Sequence, residues 1–398
     1  MDMLCYDVPA LKACSLTCKA MFASTRPLIH RRLRLPARKD LHILTRAEKS
    51  RPQGWNSSGA ELRVPSYVTE RGLLQYTQHV HIRLTHYSAT DTTPPHLRHL
   101  QSLYLNRVHT LSIKDYRPVV WAKDFRTFFT HFHPTVTSLT LTASVVPYQH
   151  ILRFALQFPM LQNLSLEWMI RAKTEHNLAV PTITHQSPPL CGHLRLAFID
   201  IVAKDFTHEL PNGMNFRSVE LEGCSVGVAQ HILNVCAHTL QSLTIVPRGG
   251  GACRLSFLSL GTMELLVNFL ATGGSEFPSF RFTEVTALRR LTFHILLHEV
   301  VSAPEPLLRT LSTITSPVFC ELVLEIPPDF CELAPRDWNG WKEIDKVLEE
   351  RFATGKYFRL IIRTRKYPDP GNFQWHMKRV FPLLAGRGLI RFETFLDR

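Results

Sequence analysis

An α/β fold built by stacking one strand-plus-helix unit many times is what this sequence predicts, with a curved parallel sheet inside and helices outside. Two observations lead there. A hexapeptide of the form apolar-x-x-apolar-x-apolar recurs along most of the 398 residues, and stretches with helical spacing lie between its copies. Alternation at period two puts one face of a strand into a core, and spacing of three to four residues does the same for a helix. A unit of this size cannot bury its apolar face alone, so successive units must stack.

The good copies are LQSLYL (100–105), VTSLTL (136–141), LQNLSL (161–166), FRSVEL (216–221), LQSLTI (240–245), LRRLTF (288–293), FCELVL (319–324) and YFRLII (357–362). HVHIRL (79–84) and CGHLRL (191–196) are weaker ones. Their fourth positions fall at 82, 103, 139, 164, 194, 219, 243, 291, 322 and 360, in steps of 21, 36, 25, 30, 25, 24, 48, 31 and 38. The step of 48 suggests a divergent copy near FLSLGTMELL. Helices are expected in YQHILRFALQF (148–158), VGVAQHILNVCA (226–237) and PEPLLRTLSTI (304–314). The second places Val228, Ile232, Val235 and Cys236 on one side, and the third opens with prolines, which a first helical turn tolerates.

These residues resemble the leucine-rich-repeat family in its longer, irregular form, over roughly 79–363. The Asn or Cys that the family carries a few residues after each strand is mostly missing, with Asn106 and Cys224 as near matches. The resemblance implies a solenoid over 79–337, whose inner strands present polar residues on a concave face. Tyr104, Thr140, Ser165, Glu220, Thr244, Thr292 and Arg359 are the candidate substrate-binding residues there. The face reads as neutral early and mixed in sign late, with few aromatics. That suits a protein or peptide better than a nucleic-acid backbone, which calls for tracking basic residues and stacking rings.

Ahead of the repeats, residues 1–35 read as two short amphipathic helices around Ser24–Pro27. The run Ala13-Cys14-Ser15-Leu16-Thr17-Cys18-Lys19, followed by Arg26-Pro27 and a basic-apolar end, is similar to the second half of an F-box as found in fungal F-box proteins with leucine-rich-like repeats. The resemblance implies a substrate receptor of a cullin-based ubiquitin ligase that docks on a Skp-type adaptor and recruits an as yet unknown protein substrate. Leu11, Cys14, Leu16, Cys18, Met21 and Phe22 would then form the adaptor-binding part. Met21 stands where the family usually has Trp, and the first F-box helix with its Leu-Pro has no counterpart. A terminal cap on the solenoid is the other reading of 1–35. Residues 36–78 read as a connector with a short helix near 40–48, and 338–398 as a final strand and C-terminal cap. In that last segment, Trp338, Trp341, Ile344, Asp345, Leu348 and Phe352 recur at helical spacing, and a Pro-Gly loop precedes the end.

Composition bounds the rest. No apolar run approaches the roughly 18 residues of a membrane span, so no membrane partner is expected. The first residues lack the pattern of a secretory signal, and nine cysteines scattered at apolar positions fit reduced, buried thiols; a cytoplasmic or nuclear protein is expected. The net charge of +13 raises nucleic acid as a partner, but residues 1–100 alone carry 15 Lys and Arg against 7 Asp and Glu. Their densest cluster is Arg31, Arg32, Arg34, Arg38 and Lys39, a solvated helix end or a phosphate-contacting patch. Gly249-Gly250-Gly251 lacks the Lys-Ser/Thr ending of a phosphate loop. His131 and His133 lack further zinc ligands nearby. No catalytic residue, metal or cofactor is expected.

Overall fold

The computed structural model describes residues 32–35, 77–83, 107–114, 134–142, 154–167, 190–198, 214–246, 279–295, 300–327, 330, 338–353, 357–365 and 369–395. The chain divides into two compact units, the first comprising 1–190 with 208–212 and the second 191–207 with 213–398. Both are built on parallel strands in chain order, so the α/β expectation holds.

In the first unit the described strands are β1 (Arg32–Leu35), β2 (His79–Arg83), β3 (Thr110–Lys114), β4 (Ser138–Thr142) and β5 (Asn163–Glu167), each parallel to the next. Two ladders of core residues cross them in register. Val80, Leu111, Leu139 and Leu164 form one; Ile82, Ile113, Leu141 and Leu166 form the other. All eight are buried, each contributing on the order of 1.5–3 kcal/mol by leaving water. Entry to each strand is fixed by the one before it. Thr110 N donates to Gln78 O, Ser138 N to His109 O and Asn163 N to Thr137 O, at 2.9–3.0 Å.

Several sequence expectations change here. The strand after β2 is formed by VHTLSI (108–113), which fits the hexapeptide as well as LQSLYL does. Val80, rather than Ile82, is the counterpart of Leu139, so the first steps become 31 and 28 instead of 21 and 36. LQSLYL itself, with Tyr104, lies outside the described residues. Residues 32–35, expected as the end of a helix, form β1 and stand in register with His79–Ile82. The stretch 148–158 is described only from Phe154, where a helical turn ends against Pro159.

The second unit carries β6 (Leu190–Ala197, from Cys191 onward), β7 (Met214–Glu222), β8 (Ser242–Val246), β9 (Arg290–His294), β10 (Glu321–Glu325), β11 (Arg359–Arg365) and β12 (Ile390–Phe395). All described pairings from β7 to β12 are parallel. Helices α1 (Val226–Val235), α2 (Pro304–Ser312), α3 (Asn339–Arg351), α4 (Pro370–Val380) and α5 (Pro382–Gly386) connect them. Leu243 and Leu291 are direct neighbours, so no strand comes between β8 and β9; FLSLGTMELL, the place of the expected divergent copy, lies outside the described residues. The terminal segment extends the sheet: Ile390 and Phe392 continue the core ladders of Leu360 and Ile362. Pro370-Gly371, expected as a loop, opens α4, whose first N–H groups are taken by the Asp369 carboxylate. Tyr357, assigned above to a motif's first apolar position, is 75% exposed, and Phe358 fills the core place.

The helices expected at 226–237, at 304–314 and along 338–352 form. α1 buries Val228, Ala229, Ile232 and Leu233, and Ser225 caps it by accepting from Val228 N. α2 starts on Pro304, and α3 buries Trp341, Ile344, Asp345 and Leu348. Side chains tie neighbouring layers by satisfying each other's backbone. Arg351 donates to Leu311 O and Ile314 O at the end of α2, at 2.8 and 3.0 Å. Asp345 accepts from Leu383 N and Leu384 N at the start of α5, at 2.7 and 3.1 Å. Burial pushes that carboxyl above its ordinary range, although the two N–H groups pull it back. At Gly340 a methyl group would lie 2.6 Å from Pro304 Cβ, so only glycine lets α3 approach α2 this closely.

Gly223, at the end of β7, has φ +59°, and an added Cβ would stand 2.7 Å from Phe198 Cδ1. Both the left-handed backbone and the ring exclude a side chain. Gly223→Ala is expected to lower stability by about 1–3 kcal/mol, read from the midpoint of urea unfolding; a midpoint equal to that of the wild type would contradict this account of the turn.

Candidate protein-binding face

On each strand the residues that alternate with the core point to the opposite face of the sheet. In the first unit this face is neutral in two rows. His79, Thr110, Ser138 and Asn163 form one row; His81, Ser112, Thr140 and Ser165 form the next. The predicted residues Thr140 and Ser165 are therefore direct neighbours, and both are half-buried. A third row ends in Lys114, Thr142 and Glu167. Glu167 accepts from Ser165 Oγ (3.2 Å) and Thr142 Oγ1 (3.5 Å), so its charge is held against the sheet.

In the second unit the corresponding face is charged and paired with itself. Ser218, Ser242, Arg290, Glu321 and Arg359 share a row, with Arg290 Nη1 3.3 Å from Glu321 Oε2 and Arg359 exposed. Glu220, Thr244 and Thr292 share the next, which continues through Val323 and Ile361 to Arg391. Three predicted residues are thus brought together, with Arg359 in the adjoining row. Thr292, Val323 and Ile361 are buried, so this row is open only towards its ends. From β6, Arg195 reaches Glu220 (3.0 Å) and Glu222 (2.8 Å), and His193 Nδ1 meets Ser218 Oγ at 3.0 Å. Burial keeps the His193 imidazole below its ordinary pKa, with Glu220 opposing and Arg195 adding to the effect.

The third row holds an ion ladder that sequence reading did not find. His294 Nδ1 lies 2.8 Å from Glu325 Oε2, and Arg363 Nη1 lies 2.7 Å from Glu325 Oε1. Arg363 also donates to Glu393 from Nε and Nη2, and Arg391 Nε is 3.2 Å from Glu393 Oε1. Burial alone would raise the Glu325 carboxyl, but hydrogen bonds and charge from His294 and Arg363 outweigh it and hold the group below the usual carboxylate range. Arg363 is desolvated as well, yet Glu325 and Glu393 raise its pKa. The signal was present in sequence as His294, Glu325 and Arg363, each three residues after its motif's fourth position. What was missing was knowledge that those positions align.

The remaining candidates stand as follows. Leu11, Cys14, Leu16, Cys18, Met21 and Phe22 lie outside the described residues, as do His131, His133 and the triple glycine. Cys236 is buried and its thiol is pushed up to about 11 by desolvation. Cys191, expected as a buried thiol, is exposed, while Cys224 and Cys320 are half-buried. Cys224 places its Sγ 3.4 Å from Leu196 O on β6. Hydroxyls do similar bridging unannounced by the motif: Thr135 donates to Val108 O, Thr239 to Phe216 O and Ser316 to Leu288 O. Among the described residues no group of three His, Cys, Asp or Glu comes together for a metal ion, and no helix is long and apolar enough to cross a membrane.

No family model, curated protein or solved structure matches the chain.

Proposed function

We propose that the chain is a non-enzymatic protein-interaction adaptor of the leucine-rich-repeat kind, and that it serves as the substrate-recognition subunit of a Skp-cullin-F-box ubiquitin ligase. The observation that carries this reading is the face itself. Strands of both units present polar residues in aligned rows opposite a largely apolar core, interrupted in the second unit by Val323 and Ile361, and the ion-paired charges there already hold each other in place. Such a surface is pre-organised for a protein partner, since few long side chains need ordering on contact. Arg195, Arg290 and Arg363 each have a carboxylate beside them, which favours protein over a polyphosphate backbone. The ligase part rests on the F-box-like run around Leu11, Leu16 and Cys18.

A second reading, a stand-alone repeat scaffold whose F-box no longer recruits the ligase, is favoured by one observation. Residues 32–35, the end of the F-box-like stretch, are a strand of the repeat sheet. Co-purification with a Skp-type adaptor separates the two. The expected result is stable association of the wild-type chain and its loss in the Leu11→Asp, Leu16→Asp double variant. A folded, monodisperse chain that never associates sinks the ligase reading and leaves the scaffold.

A further inference from the structure

Strand β12 is the last in the sheet, and among the described residues nothing pairs with its outer edge. Leu360 N donates to Leu389 O at 2.9 Å, and Leu360 faces Ile390 in parallel register. Alternation then turns the N–H and C=O of Arg391 and Glu393 towards β11, and those of Ile390, Phe392 and Thr394 outwards. The core ladders are open at the same place. Leu360 and Ile362 are fully buried, whereas Ile390 and Phe392, one strand further, are only half-buried. An unpaired edge beside half-covered apolar residues is a template for another strand.

We propose that this edge is occupied by the β12 strand of a second copy of the chain, antiparallel about a two-fold axis at Phe392. The sequence around Phe392 has the antisymmetry such an axis requires: Arg391 precedes it and Glu393 follows it. In that register Phe392 meets Phe392 and Ile390 meets Thr394 as hydrogen-bonded pairs, using the groups that point outwards. Arg391 and Glu393 face each other across the axis as non-hydrogen-bonded pairs, where Cα atoms approach to about 4.5 Å. Arg391 is 60% exposed and already lies 3.2 Å from its own Glu393, so the second copy extends the existing ion ladder by both its ends. Axes centred on Arg391 or Glu393 put like charges face to face, which disfavours them. The two Phe392 rings then cover each other beside Phe373, whose ring centroid is 6.4 Å from that of Phe392. An unrelated strand would need no such antisymmetry, and this selects a second copy as the occupant.

The test is the mass of the full chain by light scattering over a concentration series. Wild type is expected at twice 45.6 kDa. Arg391→Glu and Glu393→Arg are each expected to be monomeric alone and to form a dimer when mixed, since the mixture restores opposite charges at both facing pairs. Thr394→Pro removes an outward N–H without touching the pairing to β11, so it is expected to stay folded by circular dichroism and to be monomeric. A wild type that stays monomeric overturns the proposal. So does a dimer that survives both Arg391→Glu and Thr394→Pro, and a charge-swapped mixture that stays monomeric overturns the register.

Discussion

Trp341→Ala is expected to lower the stability of the second unit by about 3–5 kcal/mol, the range for emptying a large buried aromatic site. The indole is fully buried in the first turn of α3, edge-on to Phe330 at 5.5 Å and to Phe381 at 6.2 Å. Its Nε1 donates to Val300 O at 3.1 Å, so the residue joins the layer before it through the backbone and the layer after it through Phe381. Removing it opens a cavity and leaves a buried carbonyl without a donor. Trp341→Phe separates the two contributions: most of the packing stays, and the orphaned Val300 carbonyl costs about 1–3 kcal/mol. Urea unfolding followed by circular dichroism reads both. An alanine variant within about 1 kcal/mol of wild type would falsify the view that this residue is the hinge of the α2–α3 core.

Glu325→Ala is expected to cost about 2–4 kcal/mol near neutral pH, because it removes the carboxylate between His294 and Arg363 and leaves a largely buried guanidinium with only Glu393. The pH dependence follows from the sign of the shift. The folded state holds Glu325 ionised to lower pH than the unfolded chain, so on acidification the unfolded state takes up the proton first. Its contribution is complete above the ordinary carboxyl value of 4.5 and is lost as pH falls through the folded-state value. The gap between wild type and Glu325→Ala is therefore expected to be widest at neutral pH and to narrow steadily below about pH 4.5. A gap that stays constant on acidification would show that the variant loses packing and not the ion pairs.

The parts of this fold legible from sequence are those governed by short-range periodicity. Five-residue strands with Leu139 and Leu141, or Leu243 and Ile245, and helices carrying Ile232 or Trp341 declare themselves because one apolar stripe suffices to define each. Choosing between windows was harder. LQSLYL and VHTLSI satisfy the same pattern a few residues apart, and only the partner strand, which aligns Leu111 with Val80 and Leu139, decides for the second. The same holds at Tyr357 and Phe358, where a shift of one residue exchanges core and solvent. The ion ladder had no signature of its own, because His294, Glu325, Arg363 and Glu393 are roughly thirty residues apart and become neighbours only through register.

The direct pairing of β8 with β9 has a consequence for how such a chain tolerates changes of length. Val219 and Leu243 are 24 residues apart, Leu243 and Leu291 are 48, and both pairs sit side by side on adjacent strands. Closing a connection twice as long costs only about 0.6 kcal/mol more in chain entropy. A single leucine brought into the ladder returns about 1.5–3 kcal/mol. Insertions between strands are therefore nearly neutral to the fold, while a one-residue slip within a strand is not. The molecule holds its register and leaves its period free, so new surface can be added on connections without disturbing the aligned rows of the sheet.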